Sequence, residues 1–480
     1  MNRQIRRVGV VLIGLFVLLF LQLNYLQVVR RDALANDPRN TRIAVKDFSQ
    51  ARGQIVASDG TVLAKSVPSN DAFERQREYP TGDLFAHITG FFSFSYGRTG
   101  VERTYGDELA GRDLGFRNIK DVLVERSVTG DVFLTMDKNL QQLAKDTLGN
   151  KRGSVVALDA TTGAVLASWT FPSFDPNPLA GHDQKAVQGT FGLLNADKTK
   201  PMQAKAYQET FPPGSTFKVV TSAAAIERNP EVAARDYPSL KVLDLPQTNA
   251  TLPNFGGGTC GGKLVDLLRV SCNTGFAQMG LDLGAEAMHG EASDFGFNDR
   301  PPIDLSAAAT SVFPGPGEFK RDQPGLAKSA IGQESVRATP LEMALIAAGI
   351  VNGGSIMKPH VMNEVKDSDG ATVRTYEPGE WKRATSPESA AQLRDLMINV
   401  ATAGTATRAQ VPGAVVGGKT GTAQTTGDNA HAWFIGFGEA NSRKVAVSVI
   451  VESQPEVSEA TGGRVAAPIA QAILKAALGV

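Results

Sequence analysis

The longest unbroken apolar stretch lies at the start of the chain. Residues 8–21 carry no polar side chain, residues 22–29 continue the stretch with amides between apolar positions, and Arg3, Arg6 and Arg7 precede it. A helix of roughly 22 residues spans about 33 Å, enough to cross the hydrocarbon core of a bilayer. The pattern predicts a short cytoplasmic tail (1–7) and a transmembrane anchor (8–29), with Gln22, Asn24, Tyr25 and Gln27 in the interfacial layer. Arg30 and Arg31 follow directly, so charge asymmetry gives only a slight preference for the N-terminus inside. A cleaved signal peptide is the alternative, because Ala33-Leu34-Ala35 fits a small-x-small cleavage site. The long apolar run and the charges Arg30-Arg31-Asp32 just before that site favour the anchor.

From 30 to 135 the chain is polar and weakly periodic. Two short apolar alternations flank Asp59-Gly60, which predicts a β-hairpin. From 136 to 480 the periodic elements crowd together. Leu140, Leu143, Ala144, Thr147 and Leu148 have helical spacing. Residues 153–159 and 164–169 predict two strands around a turn, and 417–423, 432–437 and 445–451 predict three more. Thr339-Pro340-Leu341-Glu342 reads as a capping box with proline at the first helical position, opening a helix to about 351. A last amphipathic helix is expected over 468–478. Two strands early and three late, with helices between, predict a mixed α+β domain whose sheet closes with strands distant in sequence.

Composition narrows the function. At 480 residues the chain is long enough for two or more domains. Lys plus Arg and Asp plus Glu both number 49, so the chain lacks the basic footprint of nucleic-acid binding. The 42% hydrophobic content is enough for large cores and excludes wholesale disorder. Five scattered histidines and two cysteines give no support for a metal site, and no cofactor is implied.

Candidate chemistry lies in three short motifs. Phe211-Pro-Pro-Gly214 breaks regular structure just before Ser215, and residues 217–227 read as a helix. Ser215 is therefore expected at a helix N-terminus, with Lys218 one turn on and on the same face. That geometry suits a serine activated without histidine. A second copy, Ser355-Ile-Met-Lys358, follows Asn352-Gly-Gly354 and precedes Pro359, so it is expected in a turn and read as a decoy. Lysine is a poor base at its ordinary pKa of about 10.4; burial and a second cation would both lower it. Lys419 in Lys419-Thr420-Gly421 is the candidate second cation, the alternative being a surface lysine in a glycine-rich turn. In Ser271-Cys272-Asn273 a hydroxyl and an amide could relay a proton and hold a carbonyl, although alone it would pass for an exposed polar turn.

In this order the three motifs resemble the signature of penicillin-binding proteins and serine β-lactamases. With the anchor, the chain is similar to a class B penicillin-binding protein. Further resemblance lies in Phe174-Asp175-Pro176-Asn177, Ile331-Gly332-Gln333, Thr339-Pro340, Asn352-Gly-Gly354 and His431-Ala-Trp433. Arg52-Gly53 with the following hairpin, and Gly97-Arg-Thr-Gly100-Val101-Glu102 with Leu109-Ala-Gly111, resemble the pedestal motifs, imperfectly at Ala57-Ser58-Asp59. Compact length, the Gly-Gly-x-x-Cys260-Gly loop and the cysteine inside Ser-Cys-Asn are similar to actinobacterial members.

The resemblance implies a penicillin-binding, serine β-lactamase-like transpeptidase domain with an antiparallel five-stranded sheet flanked by helices, behind a β-rich pedestal (dimerisation-like) domain and one transmembrane helix. It implies Ser215, Lys218, Ser271 and Lys419 as catalytic residues, and Asn273, Thr420, Gly421 and Thr422 as substrate-binding residues. The amides of Ser215 and Thr422 would form the oxyanion hole. The implied reaction is D,D-transpeptidation of peptidoglycan stem peptides ending in D-Ala-D-Ala, with β-lactam antibiotics as covalent inhibitors. The implied location is the cell membrane, single-pass, with the catalytic domain outside. A membrane glycosyltransferase of the shape, elongation and division family would be the partner, since no glycosyltransferase signature is present. An oxidising location makes a Cys260–Cys272 disulfide plausible, the alternative being two buried thiols. A D,D-carboxypeptidase would differ only in using water as acceptor. A serine β-lactamase would need a deacylating base, and the anchor and pedestal argue against one. A β-lactam sensor would need a cytoplasmic signalling segment, where only about seven residues precede the anchor, and an intact triplet argues against a pure scaffold.

Overall fold

The architecture is taken from a computed structural model that describes residues 2–26, 45, 48–112, 129–424, 430–453 and 461–480. The described residues fall into two compact units. The smaller one draws on 1–51 and 67–76. It holds a helix over Asn2–Asn24 whose apolar side chains are exposed along its length, and this helix is long and apolar enough to cross a membrane. The helix takes in Arg3, Arg6 and Arg7 ahead of the apolar run that begins at residue 8. Residues 27–29 of the expected anchor lie outside the described residues.

The larger unit comprises 52–66 and 77–480. Its first sheet contains the expected hairpin: Ile55 and Val56 pair with Ala64 and Val62 around a turn in which Gly60 N donates to the Ala57 carbonyl (3.0 Å). Ile55–Val56 also runs parallel to Gly130–Leu134, and Met362–Asp367 and Thr372–Thr375 extend the sheet on that side. A sheet that begins in the pedestal stretch is therefore completed from within 136–480. The two pedestal motifs meet in its core. Arg52 Nε and Arg77 Nε donate to the buried Glu102 carboxylate at 3.2 and 2.6 Å.

The second sheet is five-stranded and antiparallel. Its strands are β1 (Gly153–Asp159), β2 (Val165–Phe171), β3 (Val415–Gln424), β4 (Ala430–Ala440) and β5 (Arg443–Val451), in the order β3-β4-β5-β1-β2. Seven consecutive residues of β5, Val445 to Val451, are buried. Cover on both faces is why the sequence there is apolar at every position but Ser448 rather than alternating. The helices that concern the site are α1 (Lys138–Leu148), α2 (Lys218–Arg228), α3 (Leu264–Val270), α4 (Asn273–Asp294), α5 (Pro340–Val351), α6 (Pro387–Ala403) and α7 (Ala467–Leu478). Helix α5 is buried at all its positions and packs on β5 and β1. Helix α6 lies along β3, and α2 packs on α4.

Two local expectations need correction. The Thr339 side chain caps α5 by accepting from Glu342 N (3.0 Å), but the reciprocal bond of a capping box does not form. The Thr339 amide is instead bonded to Ser311 Oγ (3.1 Å), and both oxygens of the buried Glu342 carboxyl lack a partner. Ser355 is not in a turn: it opens the short strand Ser355–Met357, paired with Glu380–Arg383, once Gly353 and Gly354 have made the reversal.

Candidate active site

The position of Ser215 is set by a close approach between a turn and a strand. Gly214 has φ +53°, and a Cβ there would lie 2.9 Å from the Ala423 Cβ of β3. Its amide donates to the Gly332 carbonyl (2.8 Å). Gly421 comes equally close, since a Cβ on it would meet the Pro213 carbonyl at 3.0 Å. Only glycine combines this backbone with this spacing. Residues 421–423 of β3 therefore lie directly against the Gly214–Phe217 turn, a single 3-10 turn that runs into α2 at Lys218. Ser215 lies in it, half-buried and facing the cleft.

Lys218 is fully buried. Its Nζ donates to the Ser271 carbonyl (2.7 Å) and Asn273 Oδ1 (2.7 Å), and lies 3.3 Å from Ser271 Oγ. Lys419, equally buried, reaches the same hydroxyl from β3: Nζ donates to Ser271 Oγ and to the Thr420 carbonyl, both at 2.8 Å. Burial, and then the Lys419 charge, push the Lys218 pKa well below the ordinary lysine value. Burial brings Lys419 down to about 7. An uncharged Lys218 amine has two N–H bonds for its two short contacts and a lone pair left over. No hydrogen bond joins Lys218 Nζ to Ser215 Oγ here; the amine is turned toward the Ser271–Asn273 turn.

That turn links two helices. Ser271 ends α3 in the left-handed region (φ 62°, ψ 43°), a conformation that costs a non-glycine residue roughly 1–2 kcal/mol. It presents both the Ser271 carbonyl and hydroxyl to the lysines. Helix α4 starts at Asn273, and its first amides are met by the side chain of Asn254. Cys260 and Cys272 are joined as a disulfide, with their Cα atoms 5.8 Å apart, so the glycine loop is tied to this turn.

Ser215, Ser271, Asn273, Thr420, Gly421, Thr422, Cys260 and Cys272 all line one cleft of about 1010 Å3. The two lysines lie beneath its floor. The Thr420 hydroxyl donates to Thr405 Oγ1 (2.6 Å), a cleft residue just after α6 that no sequence motif marks. Ser355 and Lys358 are not part of the cleft; Ser355 Oγ donates to the Glu380 carboxylate. Among the described residues no cluster of His, Cys, Asp or Glu could hold a metal ion.

The geometry finds close counterparts among known proteins. Residues 153–475 match the penicillin binding protein transpeptidase domain, and residues 52–132 match the penicillin binding protein A dimerisation domain. The chain is 40% identical, over its whole length and 99% of its relative's, to the peptidoglycan D,D-transpeptidase PbpA of Mycolicibacterium smegmatis. Among solved structures, penicillin-binding protein A from M. tuberculosis is similar in its ceftriaxone acyl-enzyme complex (TM-score 0.84, 36% identity, 90% of this chain and 100% of that one). Its penicillin G acyl-enzyme complex aligns with TM-score 0.82 at 36% identity, over 89% of this chain and 100% of that one. The expected actinobacterial likeness therefore holds, and with the transpeptidase model covering most of its length, the chain belongs to the penicillin-binding protein transpeptidase family.

Proposed function

We propose that this protein is a peptidoglycan D,D-transpeptidase that works through an acyl-enzyme on Ser215 and is trapped there by β-lactams. The observation that carries the reading is the meeting of two buried lysines on the Ser271 hydroxyl, beside a serine held at the mouth of the same cleft. The Ser215 Oγ proton passes to uncharged Lys218, and Oγ attacks the carbonyl carbon of the penultimate D-alanine. The Ser215 and Thr422 amides stabilise the oxyanion, and Thr420 and Thr422 hold the terminal carboxylate. The C–N bond breaks, and the leaving D-alanine nitrogen takes the proton from Lys218 through Ser271 Oγ. An amine of a second stem peptide attacks the ester and gives up its proton by the same route. Ser215 then leaves with that proton, and the peptides are cross-linked. Asn273 steadies the donor peptide, and Lys419 keeps Lys218 deprotonated.

The Asn2–Asn24 helix anchors the protein, N-terminus inside, with the cleft outside the cell. Glycan strands come from a membrane glycosyltransferase of the shape, elongation and division family, met through anchor and pedestal. Intact-mass analysis of the full-length chain in detergent, after exposure to benzylpenicillin, tests the reading. A stoichiometric adduct lasting hours in wild type and absent from Ser215→Ala is expected. An adduct that vanishes within seconds as penicillin is consumed would mean a β-lactamase. No adduct in wild type would leave no support for acylation.

A further inference from the structure

Helix α4 starts without a cap of its own. Its N-cap residue, Cys272, has its sulfur in the disulfide, so the first amides of the helix need a partner from elsewhere. Asn254 supplies it. Its Oδ1 accepts from Asn273 N and Thr274 N, both at 3.0 Å. Its Nδ2 donates to the carbonyls of Leu240 (2.8 Å) and Gly258 (3.1 Å). All four hydrogen-bonding positions of the carboxamide are in use, and the residue is only 7% exposed.

The residue before it completes the clamp. Asn273 Nδ2 donates to the Pro253 carbonyl (3.2 Å), which leaves Asn273 Oδ1 to face Lys218 Nζ at 2.7 Å. Pro253-Asn254 therefore holds Asn273 by backbone and side chain together, and settles which end of its amide meets the lysine.

We propose that Asn254 is a positioning residue for acylation: its carboxamide fixes the Ser271–Asn273 turn and, through it, the Lys218 amine that takes the Ser215 proton. The proposal rests on the acyl-enzyme reading above. A catalytic group displaced by about 1 Å can lose about 100-fold in rate, so loss of this clamp is felt at Ser215 although Asn254 touches neither Ser215 nor Lys218.

The test compares second-order acylation by benzylpenicillin, as a function of pH, in full-length wild type, Asn254→Ala and Asn254→Asp, with thermal melts of each. N254A is expected to acylate at least ~10-fold more slowly at a temperature where it is fully folded. N254D keeps both acceptor bonds, loses the Nδ2 donors to the Leu240 and Gly258 carbonyls, and adds a negative charge beside the turn, which favours protonated Lys218. Its acid limb is expected at higher pH than in wild type. A purely structural cap predicts otherwise: N254A would acylate at the wild-type rate per folded molecule, and N254D would recover that rate on the alkaline plateau, where its added charge no longer sets the Lys218 protonation. N254A within twofold of wild type, or a loss in N254A that follows the melted fraction together with a wild-type plateau in N254D, would overturn the proposal. If N254A does not fold, the N254D plateau rate per folded molecule decides by the same criterion. A wild type that takes no label would sink the acyl-enzyme reading itself, and this inference with it.

Discussion

At the scale of single residues the site turns on where two lysines are buried. Each lysine alone is an ordinary cation; together, out of water, neither holds its proton as it would on the surface. For Lys218 the main cause is burial, with the Lys419 charge second. The sign of the coupling gives a prediction. Removing Lys419 lets Lys218 keep its proton to higher pH, so the acid limb of the acylation profile moves up and the rate at neutral pH falls. A loss of about 100-fold is expected for Lys419→Ala, typical of general-base contributions. Stopped-flow acylation against pH checks this, and a reduced rate with an unmoved limb would rule out an electrostatic role. The residues of the triplet were legible because their spacing is local. Thr405 and Asn254 were not, since each acts through one hydrogen-bonding group delivered from another element.

Elements were read most reliably where the period is strong and the cap is local. Asp137 accepts from Leu140 N (2.8 Å) at the start of α1, and all five expected strands of the second sheet form. Helix α5 shows where such reading stops. Thr339-Pro-Leu-Glu342 has the letters of a capping box, yet tertiary packing gives the Thr339 amide to Ser311 and leaves Glu342 buried and unpartnered. Burial pushes its carboxyl up from 4.5 to about 8. Between those values the folded chain holds a proton that the unfolded chain has released, so this group makes stability fall as pH rises through that window. Glu342→Gln removes that contribution. Its advantage over wild type is expected to grow with pH and to reach about 1–3 kcal/mol near the top of the window. Thermal melts of both proteins across that range would show it, and a difference independent of pH would refute it.

At the scale of the whole larger unit, one continuous apolar core joins the pedestal sheet to the five-stranded sheet, and a few polar contacts reinforce the junction. Asn177 pairs with the backbone of Tyr79 through its whole side-chain amide (2.8 and 3.0 Å). Asp304 accepts from Tyr105 Oη (2.5 Å), Val361 N (2.7 Å) and Met362 N (2.9 Å), holding a pedestal tyrosine against the strand that both parts share. Asp304→Ala leaves those donors without their acceptor, and a loss of about 2–4 kcal/mol is expected, since hydrogen bonds to a charged group are the stronger kind. Calorimetry should show a lower Tm for the unit, and an unchanged Tm would mean the contact carries no load.

By itself the sequence determined the anchor-length apolar helix, the strand and helix periods, and the order of the three motifs. All of these are set by residues close together in the chain, where backbone geometry and side-chain period act directly. Only the tertiary structure decided that Lys218 turns to Ser271 and Asn273, that Asn254 and Thr405 complete the cleft, and that strands from 362–375 close the pedestal sheet. Those outcomes depend on which distant groups the folded backbone brings within hydrogen-bonding distance, about 2.7–3.2 Å.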